Sequence, residues 1–404
     1  MNILFLSTRS PYPLISGHSL RTYHILRGAT QRHNVILVTF VQLNEELKRG
    51  NVDHLRSFCQ AVYTFKVPVH VSKAKLAASL FLNIFSPLPF VAQKYDAPMM
   101  RMKIREIVKT AKIELVHVDM LPLSVYLNEF SDLPKVLVNH NVESMRLYRW
   151  FQNESDLLKK AYLGMQWGKL RSFERSSMSK FDCCVVVSEA DKRMLRKMGV
   201  NNRLFVVPNG TDTDFFKPTA RKMNKNVVLW VGHMDVHTNK DAVLYFWGEI
   251  YPIIRKQHPH AQMTFVGTAP PKEIVRATKM DGQIKVTGFV DDIRPYVHEA
   301  AVMVVPIRIG SGTRLKILDA MAMGKAIVST SIGGEGLNVS HGQNILIADH
   351  PEDFAHKVIE LLKNEKMRLN LGNNARSLAK TYDWELIREQ QEMVYQETIG
   401  TRGF

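Results

Sequence analysis

The sequence predicts an α/β protein of two domains, each a mostly parallel sheet with helices on both faces. Three observations lead there. Short apolar runs alternate with longer helical patterns along most of the chain, which is how successive βαβ units read. The alternation breaks once, at Val206-Val207-Pro208-Asn209-Gly210-Thr211-Asp212-Thr213-Asp214-Phe215-Phe216-Lys217-Pro218, where Asn-Gly and the prolines mark a linker, and then restarts. A length of 404 residues, 45% apolar and 23% charged, is enough to fill two large cores.

In the first half, residues 2–7 read as a strand, 8–17 as a loop punctuated by Pro11, Pro13 and Gly17, and 19–28 as a helix. Further strands are expected at 35–40, 115–118, 136–139 and 183–187. Ligands of open α/β sheets bind beyond the carboxyl ends of the strands. The chemistry-bearing residues at those ends are Ser16-Gly17-His18, His117-Val118-Asp119, Asn139-His140-Asn141 with Glu143, and Ser188-Glu189. Asn141 and Ser188 also fit as helix caps. Residues 73–95 carry an apolar stripe (Leu76, Leu80, Phe81, Ile84, Phe85) between Lys73, Lys75 and Lys94. Such a stripe suits a core helix or one lying at a bilayer interface. Residues 155–180 form a long basic helical pattern with Ser155 as its expected N-cap.

After the linker, residues 226–231 form a strand ending in Gly232-His233. A helix over 241–255, a strand over 262–266 closed by Gly267, and a strand over 284–287 follow. Gly288-Phe289-Val290-Asp291-Asp292 comes next; the adjacent acids read as a cap for the following helix, not as a metal pair. Residues 302–306 form a buried strand that opens into Gly310-Ser311-Gly312-Thr313-Arg314. The helical pattern begins at Thr313, with Leu315, Leu318, Ala322 and Met323 along one side, and stops at Gly324. A strand at 326–329 and a terminal helix at 383–396 complete the chain.

The stretch 302–329 is strand, Gly-rich loop, helix and strand, half of a nucleotide-binding unit, with the loop and helix at 310–324. The free amides of the helix start favour an anion, and Arg314 and Lys316 add positive charge beside them. Asp319, further along, suits a ribose diol. Together these describe a nucleoside diphosphate, with an ordinary βα turn as the plain alternative. Residues two apart on a regular helix do not share a face, so only one of the two cations reaches the phosphates unless the loop extends past Arg314. Arg314 is preferred, being closer to the loop and able to bind in bidentate fashion.

The net charge of +16 favours an anionic partner, either a nucleotide sugar or an anionic lipid surface. No nucleic-acid module accompanies it, so nucleic acid is not expected. Three cysteines, two of them adjacent, give neither a disulfide framework nor metal spacing. With no secretory leader and no run of eighteen apolar residues, the expected location is cytoplasmic, peripheral at most on the inner face of a membrane.

Asp319-Ala320-Met321-Ala322-Met323-Gly324 resembles the second half of the "E-x-F-G-x-x-x-x-E-A-M-A-x-G" donor signature of retaining GT-B glycosyltransferases of family 4 (group 1), with Asp for Glu. Ser311 stands where the first Glu would be, as in a subgroup reading G-S-G-T-R-L-K. The linker is similar to the family's "V-x-N-G-V-D-x-x-x-F-x-P". The resemblance implies a GT-B fold, two Rossmann-like domains facing across a cleft. Residues 1–210 would form the acceptor side, with a crossing helix at 383–404, and 211–382 would form the donor domain. It implies sugar transfer from a nucleotide sugar to a glycan or lipid-linked acceptor, with retention and without a metal or other cofactor. His117 and Asp119 fall where the family carries its mechanistic "H-x-H", and both, with Arg314, become candidates for catalysis. Gly17, His140, Gly232, His233, Phe289, Val290, Ser311, Gly312, Thr313, Lys316 and Asp319 become candidates for donor binding. His233 occupies the place of the family's phosphate-binding Arg, which moves that task to Arg314 and Lys316. A nucleotide-sugar epimerase and a non-catalytic nucleotide-sugar-binding protein share these features.

Overall fold

A computed structural model describes the whole chain apart from residues 43–45, 47, 69–72, 221, 311 and 402–404. The chain divides into two units, residues 1–208 with 385–404, and residues 209–384.

Unit 1 holds seven strands: β1 (Asn2–Ser7), β2 (Asn34–Val41), β3 (Ala61–Lys66), β4 (Leu115–Asp119), β5 (Lys135–Val138), β6 (Cys183–Val186) and β7 (Arg203–Val206). Their order is β3-β2-β1-β4-β5-β6-β7, and every pairing is parallel. The central strands are buried on both faces, which is why they read as unbroken apolar runs. One face packs Leu4, Leu6, Val116, Val118 and Leu137 against Met100, Ile104, Tyr126 and Leu170. The helix Trp384–Gly400 supplies Tyr395 and Thr398 to the interior of this unit, where Tyr395 meets His117 and Thr398 meets Cys183.

Unit 2 holds β8 (Asn224–Val231), β9 (Gln262–Val266), β10 (Ile284–Val286), β11 (Ala300–Val305), β12 (Ala326–Ser329) and β13 (Leu346–Ile347), in the order β10-β9-β8-β11-β12-β13, again all parallel. Its two faces carry separate cores, one around Trp230, Phe265 and Phe354, the other around Leu229, Met303 and Ile317.

Several local expectations change. The helix Leu157–Met178 is capped by Asp156, not Ser155: the Asp156 carboxylate accepts from the amides of Leu158 and Lys159. Ser188 does cap its helix, accepting from Asp191 N, whereas Asn141 caps nothing because the next helix starts after Val142. Asp292 accepts from the Arg294 amide and pairs with the Arg294 guanidinium at the start of the helix Arg294–Glu299. The helix Leu315–Ala322 begins two residues later than its pattern, with Arg314 in extended backbone ahead of it. The apolar stripe is not core: in and just after the helix Lys73–Asn83, Phe81 and Leu82 are each 62% exposed and Phe85 is 77% exposed. The end of that helix is pinned from the other side, where Asn83 is fully buried, bonded to Gln166, and Lys169 Nζ donates to Asn83 O.

Candidate functional site

In each sheet the direction of strand progression reverses at one place, between β1 and β4 in unit 1 and between β8 and β11 in unit 2. A crevice beyond the carboxyl ends of the strands is expected there. The polar clusters of the two units gather at these points.

In unit 1 the centre is Asp119, the last residue of β4, paired in register with Ser7 of β1. Its carboxylate accepts from Thr22 Oγ1 at 2.6 Å and is joined to His140 Nε2 at 2.8 Å. His18 Nε2 and His117 Nε2 lie 3.9 Å from it. His18 and Thr22 are four apart in the helix Gly17–Thr30 and so share its face. That helix starts at a capping box in which Ser16 and Ser19 satisfy each other's amides, which fixes the position of His18. Gly17 is its first residue and is exposed. Arg21, on the same face, is buried and donates to the carbonyls of Val207 and Pro208.

The electrostatics follow from burial. Burial pulls the Asp119 carboxyl upward, but His140, His117 and His18 outweigh it and hold the group well below the usual carboxylate range. Burial, reinforced by His140, lowers His18 to about 3, so it is a neutral imidazole at physiological pH. His117 is fully buried, stacked on Phe5 with ring centroids 3.9 Å apart and bonded through Nδ1 to Tyr395 Oη at 2.7 Å. It stands behind Asp119 and no face of it is open to a substrate.

In unit 2 the backbone turns sharply after β8. Gly267 approaches so closely that a Cβ there would lie 1.7 Å from Gly232 O, which requires glycine. Lys316, in the first turn of the helix Leu315–Ala322, reaches this turn: a Cβ on Gly232 would sit 3.0 Å from its ammonium. The ammonium also lies 3.3 Å from Asn239 Oδ1 and 4.6 Å above the Trp230 ring. Burial, with the nearby Arg314 charge, lowers the Lys316 pKa to about 7. Arg314 folds back on its own loop, donating to Gly312 O at 3.1 Å, and its guanidinium occupies the space that a side chain on Gly310 would need. The helix has no side-chain cap, so its first amides face the loop. Thr313 Oγ1 is buried and has no hydrogen-bond partner among the described residues. Asp319 accepts from Thr211 Oγ1 at 2.7 Å, and burial raises its pKa to about 7 against that bond.

Other predicted residues stand apart. His233 is exposed and bonded to Thr268 Oγ1 at 2.8 Å. Phe289 is 69% exposed, and Val290 packs partly on the core. Ser311 lies outside the described residues. Sequence reasoning did not single out Thr22, Asn239 or Thr211, and it named His18 among the strand-end residues without giving it a role. For His18, Arg21 and Thr22 the i, i+3, i+4 spacing was a usable signal; for Thr211 and Asn239 there was none.

Comparison with known proteins gives two family matches. Residues 15–215 match the model described as Glycosyltransferase Family 4, and residues 225–364 match that described as Glycosyl transferases group 1. An uncharacterized 44.6 kDa protein in the cps region of Klebsiella pneumoniae is 25% identical over 394 residues, 94% of this chain and 96% of that protein. The N,N'-diacetylbacillosaminyl-diphospho-undecaprenol alpha-1,3-N-acetylgalactosaminyltransferase of Campylobacter jejuni is 24% identical over 230 residues, 53% of this chain and 60% of that one. The solved structure of Anabaena HepE in complex with UDP matches at TM-score 0.68 and 15% identity, over 98% of this chain and all of that one.

Proposed function

We propose a reaction from the premise that this chain belongs to the family 4, group 1 glycosyltransferases: it moves a hexose from a nucleoside-diphosphate sugar to a glycan or lipid-linked acceptor, with retention of configuration. The observation that carries the donor assignment is the convergence of the Lys316 ammonium, the Arg314 guanidinium and an uncapped helix start beside the Gly232 turn. A diphosphate buried there needs cationic and N–H partners, because an unpaired buried charge is very costly. The same groups stabilise the negative charge left on the diphosphate as the glycosidic bond breaks. They meet that charge without a metal. Asp319 receives the ribose diol in place of Thr211. Complexes of the structural neighbour with UDP support a uridine donor.

Unit 1 serves the acceptor. Asp119, ionised and flanked by two imidazoles, can orient an acceptor hydroxyl by accepting its hydrogen bond. His117 is a positioning residue that lines the buried side of Asp119 at 3.9 Å and is itself fixed by Phe5 and Tyr395. The cps-region relative supports a role in polysaccharide synthesis, and the undecaprenol-linked substrate named for the Campylobacter relative supports a lipid-linked acceptor. Phe81, Leu82 and Phe85, exposed near Lys169, would dock unit 1 on an anionic membrane. Among the described residues no helix is long and apolar enough to cross one.

A thermal-shift screen across UDP-, GDP- and ADP-sugars tests the donor, since a ligand that binds only the folded state raises stability by mass action. A UDP-sugar is expected to stabilise the wild type and to lose that effect in Lys316→Ala. Acceptor-dependent consumption of the donor then separates transfer from epimerisation, which would proceed with donor alone.

A further inference from the structure

We propose that His18, Asp119 and His140 form a binding site for a divalent transition-metal ion, with Zn2+ the best chemical match, and that the bound ion blocks sugar transfer. The second half of this proposal rests on the acceptor role given above to Asp119; the first half does not.

Asp119 ends β4, His140 follows β5 and His18 stands in the first turn of the helix after β1, and these three strands are neighbours in the sheet. Each offers one ligand atom, and these atoms all lie within 4.8 Å of one another. Two imidazoles and one carboxylate suit zinc and its first-row neighbours; magnesium and calcium prefer all-oxygen shells. With bonds of about 2.1 Å, tetrahedral zinc holds its ligand atoms about 3.4 Å apart. His140 Nε2 lies 2.8 Å from Asp119 Oδ1 and must draw back slightly, and His18 Nε2 lies 3.9 Å from Asp119 Oδ2 and must approach. Separations of up to 4.8 Å within the set must shorten, by rotation of the side chains.

The independent sign is an orphaned nitrogen. His18 Nε2 is shut off from solvent and has no hydrogen-bond partner among the described residues. At 3.9 Å it is too far from Asp119 to form a hydrogen bond. A buried ring nitrogen aimed at a carboxylate, with a second imidazole 4.7 Å away by ring centroids, is a ligand set lacking its centre. The supporting shell is in place, because Thr22 Oγ1 donates to Asp119 Oδ2 at 2.6 Å and fixes the carboxylate. On coordination His140 carries its ring proton on Nδ1, freeing the Nε2 lone pair. The His18 side chain keeps 20% exposure away from Nε2, so a rotation of its ring would admit the ion, which would take its fourth ligand from solution. Arg9 and Arg21 lie close enough to oppose a cation, so the fourth ligand is expected to be an anion. An ion held here takes up the Asp119 lone pairs that an acceptor hydroxyl needs.

The test titrates metal-free protein with Zn2+ against a chromophoric chelator, without substrate. One ion per chain is expected, weakened about tenfold or more in His18→Gln and His140→Ala, unchanged in His260→Ala on the exposed surface, and not displaced by excess Mg2+. Co2+ provides a second readout, a visible absorption band of a four-coordinate centre that disappears in His18→Gln. Absence of stoichiometric binding, or binding equal in wild type and His18→Gln, overturns the site. Transfer assays are run separately. Zn2+ should inhibit the wild type and a chelator should restore it. Zinc bound with transfer unaffected overturns the blocking role, whereas zinc bound to a protein with no transfer from any donor leaves the site standing and removes the acceptor reading.

Discussion

Lys316 and Asp319 lie three residues apart on one short helix, and burial brings both to about pH 7 from opposite sides. The lysine is cationic below that value and the aspartate anionic above it. Donor affinity should therefore peak near neutrality. It falls toward alkaline pH as the ammonium is lost from the phosphates, and toward acid as the carboxylate is lost from the ribose, by at most about tenfold per pH unit on each limb. Lys316→Arg should flatten the alkaline limb, because a guanidinium stays charged. Asp319→Asn should remove the acid limb and cost about 1.5–3 kcal/mol of binding at neutral pH. Isothermal titration across the range decides it; a pH-independent wild-type affinity contradicts both roles. The restriction that favoured Arg314 alone assumed a regular helix through Thr313. Since the helix starts at Leu315, Arg314 and Lys316 are free to act together. Arg314→Ala should still lower turnover at saturating donor by roughly 10²–10³-fold. Near-wild-type turnover in both alanine variants would place the phosphates elsewhere.

The helix Glu143–Asn153 begins without a side-chain cap of its own. Glu174, buried on the helix Leu157–Met178, takes that role: its carboxylate accepts from the amides of Glu143 and Ser144 and from the Ser144 hydroxyl. Glu174→Ala leaves those donors buried and unpaired, so urea unfolding should show a loss of about 2–3 kcal/mol. Burial raises the Glu174 pKa from 4.5 to about 7, against the pull of those bonds. The folded state thus holds this proton more tightly than the unfolded one, and stability contributed here declines as pH rises from 4.5 to about 7. Glu174→Gln should remove that slope. None of this was legible in the sequence, because the cap comes from a neighbouring helix 30 residues away. Central strands such as β1, β2, β11 and β12 were legible, being buried on both faces and apolar throughout. The strands left out, β3, β7 and β13, stand at or beside sheet edges and are only partly buried. Strand-end residues such as Asp119 and His140 were legible by position; their union with Thr22 depends on where a helix lands.

At the scale of the whole chain, the charge of +16 and the exposed cluster of Phe81, Leu82 and Phe85 belong to one prediction. Binding to anionic vesicles should weaken with salt, because screening shortens the reach of the basic surface. Phe81→Ser with Phe85→Ser should cut binding about tenfold or more, since each buried Phe is worth about 1.5–3 kcal/mol. Co-sedimentation measures it, and a wild type that ignores anionic vesicles at low salt removes the idea. Unit 1 is made from two separated stretches, with all of unit 2 between them. A ribosome delivers the chain from its first residue, so the second unit is complete in sequence before the first. Until the final segment emerges, His117 lacks Tyr395 and Cys183 lacks Thr398. A chain stopped at residue 384 should therefore be digested by protease within residues 1–208 while 209–384 resists, so that a lesion downstream of unit 2 damages the stretch that lies upstream of it.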